Sequence, residues 1–342
     1  MSGIAARAIW VTAPRTVELR PEVAPRPGLG EARVRAIASA ISQGTEMLVY
    51  RGQAPPEMTL DLPTLAGSFA LPIKYGYASV GRVIDVGAGV DRVAEGDAVF
   101  VLHPHQTVYT VPASMTVPLP SDLDSVLGVF TANVETALNV VHDSPLRLGE
   151  SAVVFGLGTV GLLVLQLLRM AGAARLVAID PLPNRRAIAE RLGADLALAP
   201  GDDVPGQVWA LTGGRGADVA VEVSGAPAAL QGAIDVLADE GTAVVASWYG
   251  TKPVALALGE RFHRGRLRLR SSQVGHLNPE LGPRWDRARR TAAVLGLLPR
   301  LQLAPLISHR LPFDRAADAW RLVDERPDEV AQVVIEYAGD EG

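Results

Sequence analysis

Residues 153–161 read VVFGLGTVG, and this stretch decides the fold of the region around it. Gly156, Gly158 and Gly161 have the spacing G-x-G-x-x-G. An apolar β-branched run precedes them, a helical pattern follows at 159–172, and Asp180 ends the next apolar run. In this setting the first glycine allows a tight turn, the second lets the backbone approach a pyrophosphate, and the third lets the helix pack closely on the strand. The stretch therefore predicts a dinucleotide-binding site.

The residues around this turn indicate which dinucleotide binds. A carboxylate at the end of the second strand accepts hydrogen bonds from the adenosine ribose and repels a 2′-phosphate, so Asp180 favours NAD over NADP. Arg185 lies just beyond it and leaves NADP open. The turns VSGAP (223–227) and SWYG (247–250) follow later strands, at the carboxyl edge where ligands of open α/β sheets bind. The predicted cofactor-binding residues are Gly156, Leu157, Gly158, Thr159, Val160, Gly161, Asp180, Arg185, Ser224, Gly225 and Trp248.

The pattern of the chain changes along its length. Up to about residue 120, short runs such as EARVRAIA (31–38) and SVGRVIDVG (79–87) alternate apolar and polar residues, which is typical of half-buried strands in a sandwich or barrel. From residue 151, strands alternate with helices, which predicts a parallel sheet covered on both faces. The tail adds helices and a last strand, AQVVIEY (331–337). The expected class is α/β, with a β-rich domain and a doubly wound parallel-sheet domain.

Composition excludes several classes of function. The chain has 342 residues and a net charge of −5, so we expect no nucleic-acid partner. It has no cysteine, hence no disulfide, thiolate nucleophile or cysteine-based zinc site. The N-terminal stretch lacks the apolar segment of a secretory signal, and the longest apolar runs are too short to span a membrane. We therefore expect a cytoplasmic protein without a membrane partner.

The β-rich first part, the dinucleotide core and the returning tail that ends in VVIEY together resemble the medium-chain dehydrogenase/reductase superfamily, over essentially the whole chain. SQGTEMLVYRG (42–52) and VLHPHQTVYTVPA (101–113) are most similar to its bacteriochlorophyllide-type branch. The resemblance implies a GroES-like catalytic domain and a Rossmann NAD(P)-binding domain, and a homodimer that pairs along the strand near residues 266–270. The implied boundaries are 1–128 and 277–342 for the catalytic domain and 129–276 for the Rossmann domain.

One part of the family pattern is missing. Zinc-dependent members hold a catalytic metal with a cysteine, a Gly-His-Glu block and a second cysteine. By the resemblance these positions correspond to Gln43, to 76–78 in KYGYASVG, and to the vicinity of Gly128, and none supplies a thiolate, imidazole or carboxylate. The four-cysteine structural lobe is missing as well. We therefore expect no zinc.

Without a metal, a substrate oxygen needs hydrogen-bond donors and a proton path from side chains. The resemblance places Thr45 where relatives keep a proton-relaying hydroxyl, Glu46 where they have an acidic residue, Tyr77 at a former ligand position and His103 in the substrate pocket. These four are the predicted catalytic residues. Tyr77 as space-filling aromatic and Thr45 as a plain loop residue are the alternatives. For His103 a place in the pocket wall ranks first and a plain polar loop residue second. A metal site of His103, His105 and Glu46 ranks last, because His-x-His on an extended segment points the rings to opposite faces.

The leading functional hypothesis is a zinc-independent, NAD(P)-dependent oxidoreductase that moves a hydride between nicotinamide and a carbonyl or secondary alcohol of a small molecule. A second hypothesis is a quinone or enoyl reductase, because zinc-free relatives reduce activated double bonds. A third is a nucleotide-binding regulator that has lost catalysis. The third predicts cofactor binding without turnover on any carbonyl or alkene.

Overall fold

The computed structural model describes residues 3–60, 64–250 and 252–338. The strands in chain order are β1 (Ile4–Ala13), β2 (Thr16–Ala24), β3 (Glu31–Ala40), β4 (Ser79–Val86), β5 (Ala98–Val101), β6 (Val108–Pro112), β7 (Val117–Pro118), β8 (Ser151–Phe155), β9 (Arg175–Ile179), β10 (Leu196–Leu198), β11 (Ala217–Glu222), β12 (Leu237–Val245), β13 (Arg268–Ser271), β14 (Ile307–Pro312) and β15 (Gln332–Glu336). The α-helices are α1 (Thr45–Tyr50), α2 (Thr131–Asp143), α3 (Thr159–Met170), α4 (Pro183–Arg191), α5 (Val204–Leu211), α6 (Pro227–Asp235), α7 (Arg287–Leu297) and α8 (Ala316–Glu325). None of the helices in these ranges has the length and apolar character needed to cross a membrane.

The chain divides into two compact units. One contains Met1–Ala132 and Leu298–Gly342, and the other contains Asn133–Leu297. The first division lies close to the expected residue 129, whereas the second falls at Leu298 and not at 277. Helix α7 belongs to the second unit because its buried Arg290 donates a hydrogen bond to Asn139 of α2, with 2.9 Å between Nη1 and Oδ1.

The first unit is built mainly on antiparallel strands. Its larger sheet has the order β14-β15-β3-β4-β5-β7, with β6 also paired to β3, and β1 pairs with β2 in a separate sheet. The central strand β3 is almost entirely buried, which suits its alanine-rich sequence EARVRAIASA. Trp320 of α8 and Tyr109 of β6 are among the largest buried side chains in the core of this unit. This is the β-rich domain that the alternating pattern predicted.

The second unit is a parallel sheet with the order β10-β9-β8-β11-β12-β13, every adjacent pair being parallel. If these six strands are numbered as they occur along the chain, their order across the sheet is 3-2-1-4-5-6. This is the doubly wound arrangement of dinucleotide-binding sheets. Strand β8, SAVVF, is buried at every position, as expected for a strand covered on both faces. The predicted α/β class, a GroES-like part with a Rossmann part, is confirmed.

One local prediction was wrong. The helical pattern of AALQGAIDVLADEG (228–241) predicts one helix over the whole run, but α6 ends at Asp235 and β12 begins at Leu237. Leu237 is fully buried and pairs with Ala217 of β11, so sheet pairing overrides local helix propensity there. Strand β12 then ends at Val245, and the SWYG segment (247–250) lies in the loop beyond it, as expected.

Candidate functional site

The glycine-rich turn has the geometry that its sequence predicts. Gly156 has φ +98°, a left-handed conformation that favours glycine, and a Cβ there would lie 2.7 Å from the Cα of Ser224. A Cβ at Gly161 would lie 1.9 Å from the carbonyl oxygen of Gly156, so α3 packs directly against the turn. Gly158 is the N-cap of α3, followed by Thr159 and Val160 in its first turn. The helix N-terminus and the open turn together fit a pyrophosphate.

Asp180 holds this turn in place. Its Oδ2 accepts a hydrogen bond from the Leu157 N–H at 2.8 Å, and its Oδ1 accepts one from the Leu182 N–H at 2.9 Å. Arg185 Nη1 lies 3.9 Å from Oδ2, and burial lowers the pKa of this guanidinium from its usual value while the Asp180 charge acts in the opposite direction. Asp180 therefore positions the glycine-rich turn, a role that spacing alone did not indicate; its place beside the ribose remains a prediction.

A second polar cluster lies at the carboxyl ends of β11 and β12. The buried Glu222 accepts hydrogen bonds through Oε1 from the backbone N–H of Ser224 at 2.7 Å and from its hydroxyl at 2.6 Å, and through Oε2 from the Tyr249 hydroxyl. Burial, together with the bond to Glu222, raises the pKa of Tyr249 above its usual range. Gly225 N–H donates to the Ser247 hydroxyl at 2.8 Å.

The predicted cofactor residues Ser224, Gly225 and Trp248 thus lie in or beside this cluster, and Trp248 is 44% exposed. Glu222 was missed by sequence reasoning. The available signal was a single acidic residue at the end of the apolar strand ADVAVE, directly before a Val-Ser-Gly turn.

In the first unit, two of the predicted catalytic hydroxyls are brought together. Thr45 is the first residue of α1. Burial raises the pKa of Tyr77 to about 12, the charge of Glu46 adds to this effect, and hydrogen bonds from the side chains of Ser42 and Thr45 act in the opposite direction. The Tyr77 ring also meets Tyr75 edge-on at 6.3 Å between ring centroids. Ser42, which sequence reasoning missed, completes a hydroxyl group cluster around Tyr77.

Glu46 is buried beside this cluster. Its Oε1 accepts a hydrogen bond from the Ser42 backbone N–H at 3.0 Å, and its Oε2 lies 2.8 Å from Nε2 of His105. The partner of Glu46 is therefore His105, a residue that sequence reasoning considered only as a metal ligand.

His103 has separate partners. Its ring stacks on Tyr109, with centroids 3.8 Å apart and planes 10° from parallel, and its Nδ1 lies 2.9 Å from the Pro104 carbonyl oxygen. Burial lowers the pKa of His103 to about 3, although the contact with Pro104 acts in the opposite direction. The imidazole is therefore neutral in the folded protein near pH 7.

The buried His103 is expected to make the protein sensitive to acid. Its pKa is about 3 when folded and about 6.5 when unfolded, so the unfolded chain binds the extra proton as the pH falls between these values. The free energy of unfolding should then decrease by about 1.4 kcal/mol per pH unit from this residue. Urea unfolding at several pH values between 4 and 6 should show a shallower slope for His103→Asn. The exposed His276→Asn should keep the wild-type slope, and equal slopes for all three proteins would contradict this role.

The positions that correspond to zinc ligands do not fit the metal. The Gln43 Nε2 donates to the Ala331 carbonyl oxygen at 2.6 Å, so this side chain is bonded to backbone. A Cβ at Gly128 would lie 2.4 Å from Cδ1 of Leu119, which leaves no room for a longer ligand. Tyr77 and Ala78 offer a phenol and a methyl group. Across residues 3–60, 64–250 and 252–338, no three His, Asp or Glu side chains are grouped to hold a metal ion.

Comparison with known proteins gives the family. The sequence model described as "Zinc-binding dehydrogenase" matches residues 159–288. D-guloside 3-dehydrogenase of Escherichia coli strain K12 is 31% identical over 332 residues, covering 90% of this chain and 93% of that protein. The crystal structure of 2R,3R-butanediol dehydrogenase from Bacillus subtilis has a TM-score of 0.81 at 23% identity, covering 97% and 99% of the two chains. An alcohol dehydrogenase from Escherichia coli CFT073, complexed with NADH, has a TM-score of 0.81 at 19% identity, covering 98% and 100%.

A dinucleotide-type parallel sheet, a GroES-like first unit and these relatives define one class. The chain belongs to the medium-chain dehydrogenase/reductase superfamily, in its zinc-type alcohol dehydrogenase-like group. It is an oxidoreductase of that superfamily. The resemblance inferred from SQGTE, KYGYASVG and FGLGTVG is thereby confirmed at the level of the superfamily.

Proposed function

We propose that this oxidoreductase moves a hydride between a nicotinamide cofactor and a carbonyl or secondary alcohol without a catalytic zinc. The observation that supports the proposal most directly is Tyr77. It stands where zinc-dependent relatives have a histidine ligand, and the side chains of Ser42 and Thr45 lie close enough to its hydroxyl to lower its pKa, against the larger effect of burial. A held phenol offers the polar contact to a substrate oxygen that a metal would otherwise supply.

The second unit supplies the cofactor site in this proposal. The Gly156–Gly161 turn would hold the pyrophosphate, Asp180 the adenosine ribose, and Ser224 and Gly225 would lie near the other end of the dinucleotide. The bound nicotinamide would accept or donate the hydride. The carboxylate of Asp180 supports NAD as the preferred form, while the neighbouring Arg185 leaves room for NADP.

The hydroxyls of the first unit would act on the substrate oxygen. Because the pKa of Tyr77 is about 12, the phenol stays protonated at neutral pH and serves as a hydrogen-bond donor. Negative charge that develops on the oxygen is stabilised by such a fixed donor. Thr45 and Ser42, which contact the same phenol, provide hydroxyls through which a proton can be exchanged.

For the substrate, the chain is 31% identical, over 90% of its length, to a protein called D-guloside 3-dehydrogenase. We propose on this basis a polyhydroxylated secondary alcohol, such as a ring hydroxyl of a glycoside, or the corresponding ketone. A phenol and two aliphatic hydroxyls suit such a substrate, because each can donate to or accept from a neighbouring hydroxyl.

We also propose a homodimer that pairs along β13. This strand is the last in the order of its sheet, and its Leu269 is 37% exposed. Its arginines are paired within the chain: Arg268 with Glu240, and Arg270 with Asp143 and Glu280. Because these arginines are already paired with carboxylates of the same chain, the strand is better suited to extending the sheet of a second copy than to binding a polyanion.

The proposal is tested by turnover with and without metal. The purified protein is analysed for metal by mass spectrometry, titrated with NADH and NADPH, and assayed on glycosides, diols, ketones and enones before and after chelation. We expect substoichiometric metal, tighter NADH binding, and oxidation of a secondary hydroxyl that chelation leaves unchanged. One zinc per chain whose removal abolishes turnover would refute zinc independence. Activity on enones alone would favour an enoyl reductase, and binding without turnover would favour a regulator.

A further inference from the structure

Four buried polar side chains of the first unit form one continuous hydrogen-bonded chain. The Tyr337 hydroxyl lies 2.8 Å from the Ser39 hydroxyl, and the Ser39 hydroxyl lies 2.7 Å from Nδ1 of His105. Nε2 of His105 in turn lies 2.8 Å from Oε2 of Glu46. Ser39 and His105 are completely buried, Glu46 is 2% exposed and Tyr337 is 9% exposed. We call these four residues the buried relay.

The buried relay joins segments that are far apart in sequence. Ser39 belongs to β3, Glu46 to α1, His105 to the loop between β5 and β6, and Tyr337 follows β15. Ser39 and Tyr337 are 298 residues apart. Four separate segments are therefore fixed relative to one another by three side-chain hydrogen bonds.

The imidazole at the middle of the buried relay has a tightly defined place. The His105 and Trp320 rings pack edge-to-face, with centroids 5.0 Å apart and planes at 87°. On another side, a Cβ at Gly76 would lie only 2.7 Å from Nε2 of His105. Only glycine leaves space for the ring at this position, and Gly76 directly precedes Tyr77. The packing of His105 and the path of the chain into Tyr77 are therefore linked.

The carboxylate at the end of the buried relay is linked to Tyr77 from the opposite direction. Glu46 accepts a hydrogen bond from the Ser42 backbone N–H at 3.0 Å, and the side chain of Ser42 lies close enough to the Tyr77 hydroxyl to lower its pKa. Thr45, the other side-chain partner of Tyr77, is the residue before Glu46. Fixing Glu46 thus fixes the backbone that carries the Ser42 and Thr45 hydroxyls beside the phenol.

A buried carboxylate is costly unless it is paired and hydrogen-bonded. The pair with His105 and the Ser42 N–H meets this condition for Glu46. A fully bonded polar network of this kind is rigid and has one preferred arrangement. Rigidity is what a donor needs if it is to stabilise charge without reorganising during the reaction.

We propose that Glu46, His105, Ser39 and Tyr337 are positioning residues that hold the Ser42–Thr45 turn, and with it the Tyr77 hydroxyl, in the place that a metal and its ligands fix in zinc-dependent relatives. The inference rests on the proposed function, since Tyr77 is the group being positioned. It gives Glu46 a positioning role in place of direct contact with substrate.

The test follows the Tyr77 ring itself, so it does not depend on turnover. The full chain is labelled with 3-fluorotyrosine, and its six tyrosines are resolved by ¹⁹F NMR, with the Tyr77 resonance assigned from Tyr77→Phe. The variants are Ser39→Ala, His105→Gln and Tyr337→Phe. The matched control is Ser79→Ala, which removes another buried serine hydroxyl of the same sheet, 2.9 Å from the Tyr109 hydroxyl.

We expect each relay variant to shift or broaden the Tyr77 resonance and to lower kcat by about 10- to 100-fold, the usual effect of losing a partner that orients an active group. The dissociation constant of NADH should not change, and Ser79→Ala should leave the Tyr77 resonance in place. Restoration of kcat in Ser39→Thr, which keeps a hydroxyl at position 39, would support positioning by the hydrogen bond.

Two results would overturn the inference. One is an unchanged Tyr77 resonance in folded Ser39→Ala and Tyr337→Phe, even if His105→Gln fails to fold. The other is a displaced resonance with wild-type kcat. If the wild type turns over no substrate, the proposed function fails. In that case an unchanged Tyr77 resonance in the relay variants would still reject the positioning role. A resonance that moves in the relay variants and not in Ser79→Ala would retain the positioning of Tyr77 and reject only the reaction assigned to it.

Discussion

Tyr77→Phe is expected to lower kcat by about 10²- to 10³-fold while NADH binds as tightly as to the wild type. The substitution removes one hydroxyl and keeps the ring. Loss of a single fixed donor to a developing oxyanion has an effect of this size. The cofactor turn belongs to the other unit, so its affinity should be unaffected. Steady-state kinetics measures kcat on the substrate identified among the glycosides, diols, ketones and enones. Fluorescence titration measures the affinity for NADH.

Tyr75→Phe is the matched control for this prediction. Tyr75 is two residues away, is buried, and contacts the Tyr77 ring edge-on. If the phenol of Tyr77 acts on substrate, Tyr75→Phe should keep nearly full kcat. A similar loss in both variants would show that the effect is not specific to the Tyr77 hydroxyl. Full kcat in Tyr77→Phe would leave the space-filling interpretation of Tyr77, because the substitution keeps the ring.

Gly161→Ala is expected to weaken NADH binding at least about 10-fold and to destabilise the protein by about 1–3 kcal/mol. The added Cβ would lie 1.9 Å from the carbonyl oxygen of Gly156, a backbone atom that cannot move without displacing the turn. The higher helix propensity of alanine favours the variant by roughly 1 kcal/mol, and this gain is smaller than the expected cost of the clash. Thermal unfolding and NADH titration check the two effects.

Gly201→Ala tests whether a glycine-to-alanine change is harmful in itself. Gly201 is exposed, and a Cβ there would meet no atom within 4 Å. Its melting temperature and NADH affinity should match those of the wild type. Wild-type affinity in Gly161→Ala would mean that the turn tolerates a displaced α3, and the assignment of the pyrophosphate site to this turn would be wrong.

The cofactor half of the molecule was largely predictable because its determinants are local. The run SAVVF, the glycine spacing and the helical pattern after it lie within about twenty residues, and each has a steric meaning that the structure confirms at Gly156 and Gly161. Where a long-range contact decided the outcome, local reasoning failed. Leu237 joined β12 because Ala217 of the neighbouring strand was available to pair with it.

The catalytic candidates were predictable as residue types and not as an arrangement. Thr45, Glu46 and Tyr77 were named from a resemblance, and the side chain of Thr45 lies close enough to Tyr77 to lower the pKa of its hydroxyl. No pattern indicated that Ser42 joins them. His103 and His105 are two residues apart, yet one stacks on Tyr109 and the other bonds Glu46, because alternate side chains of an extended segment enter different surroundings.

By itself, the sequence determined the α/β class, the parallel dinucleotide-type sheet, the glycine-rich turn and the lack of thiolate ligands, since these depend on residue type and short-range spacing. Only the tertiary structure decided that Ser39, His105, Glu46 and Tyr337 form one buried chain. Ser39 and His105 are 66 residues apart and Ser39 and Tyr337 are 298 apart. Hydrogen bonds over such separations depend on where the strands bring the side chains, and local periodicity carries no information about that placement.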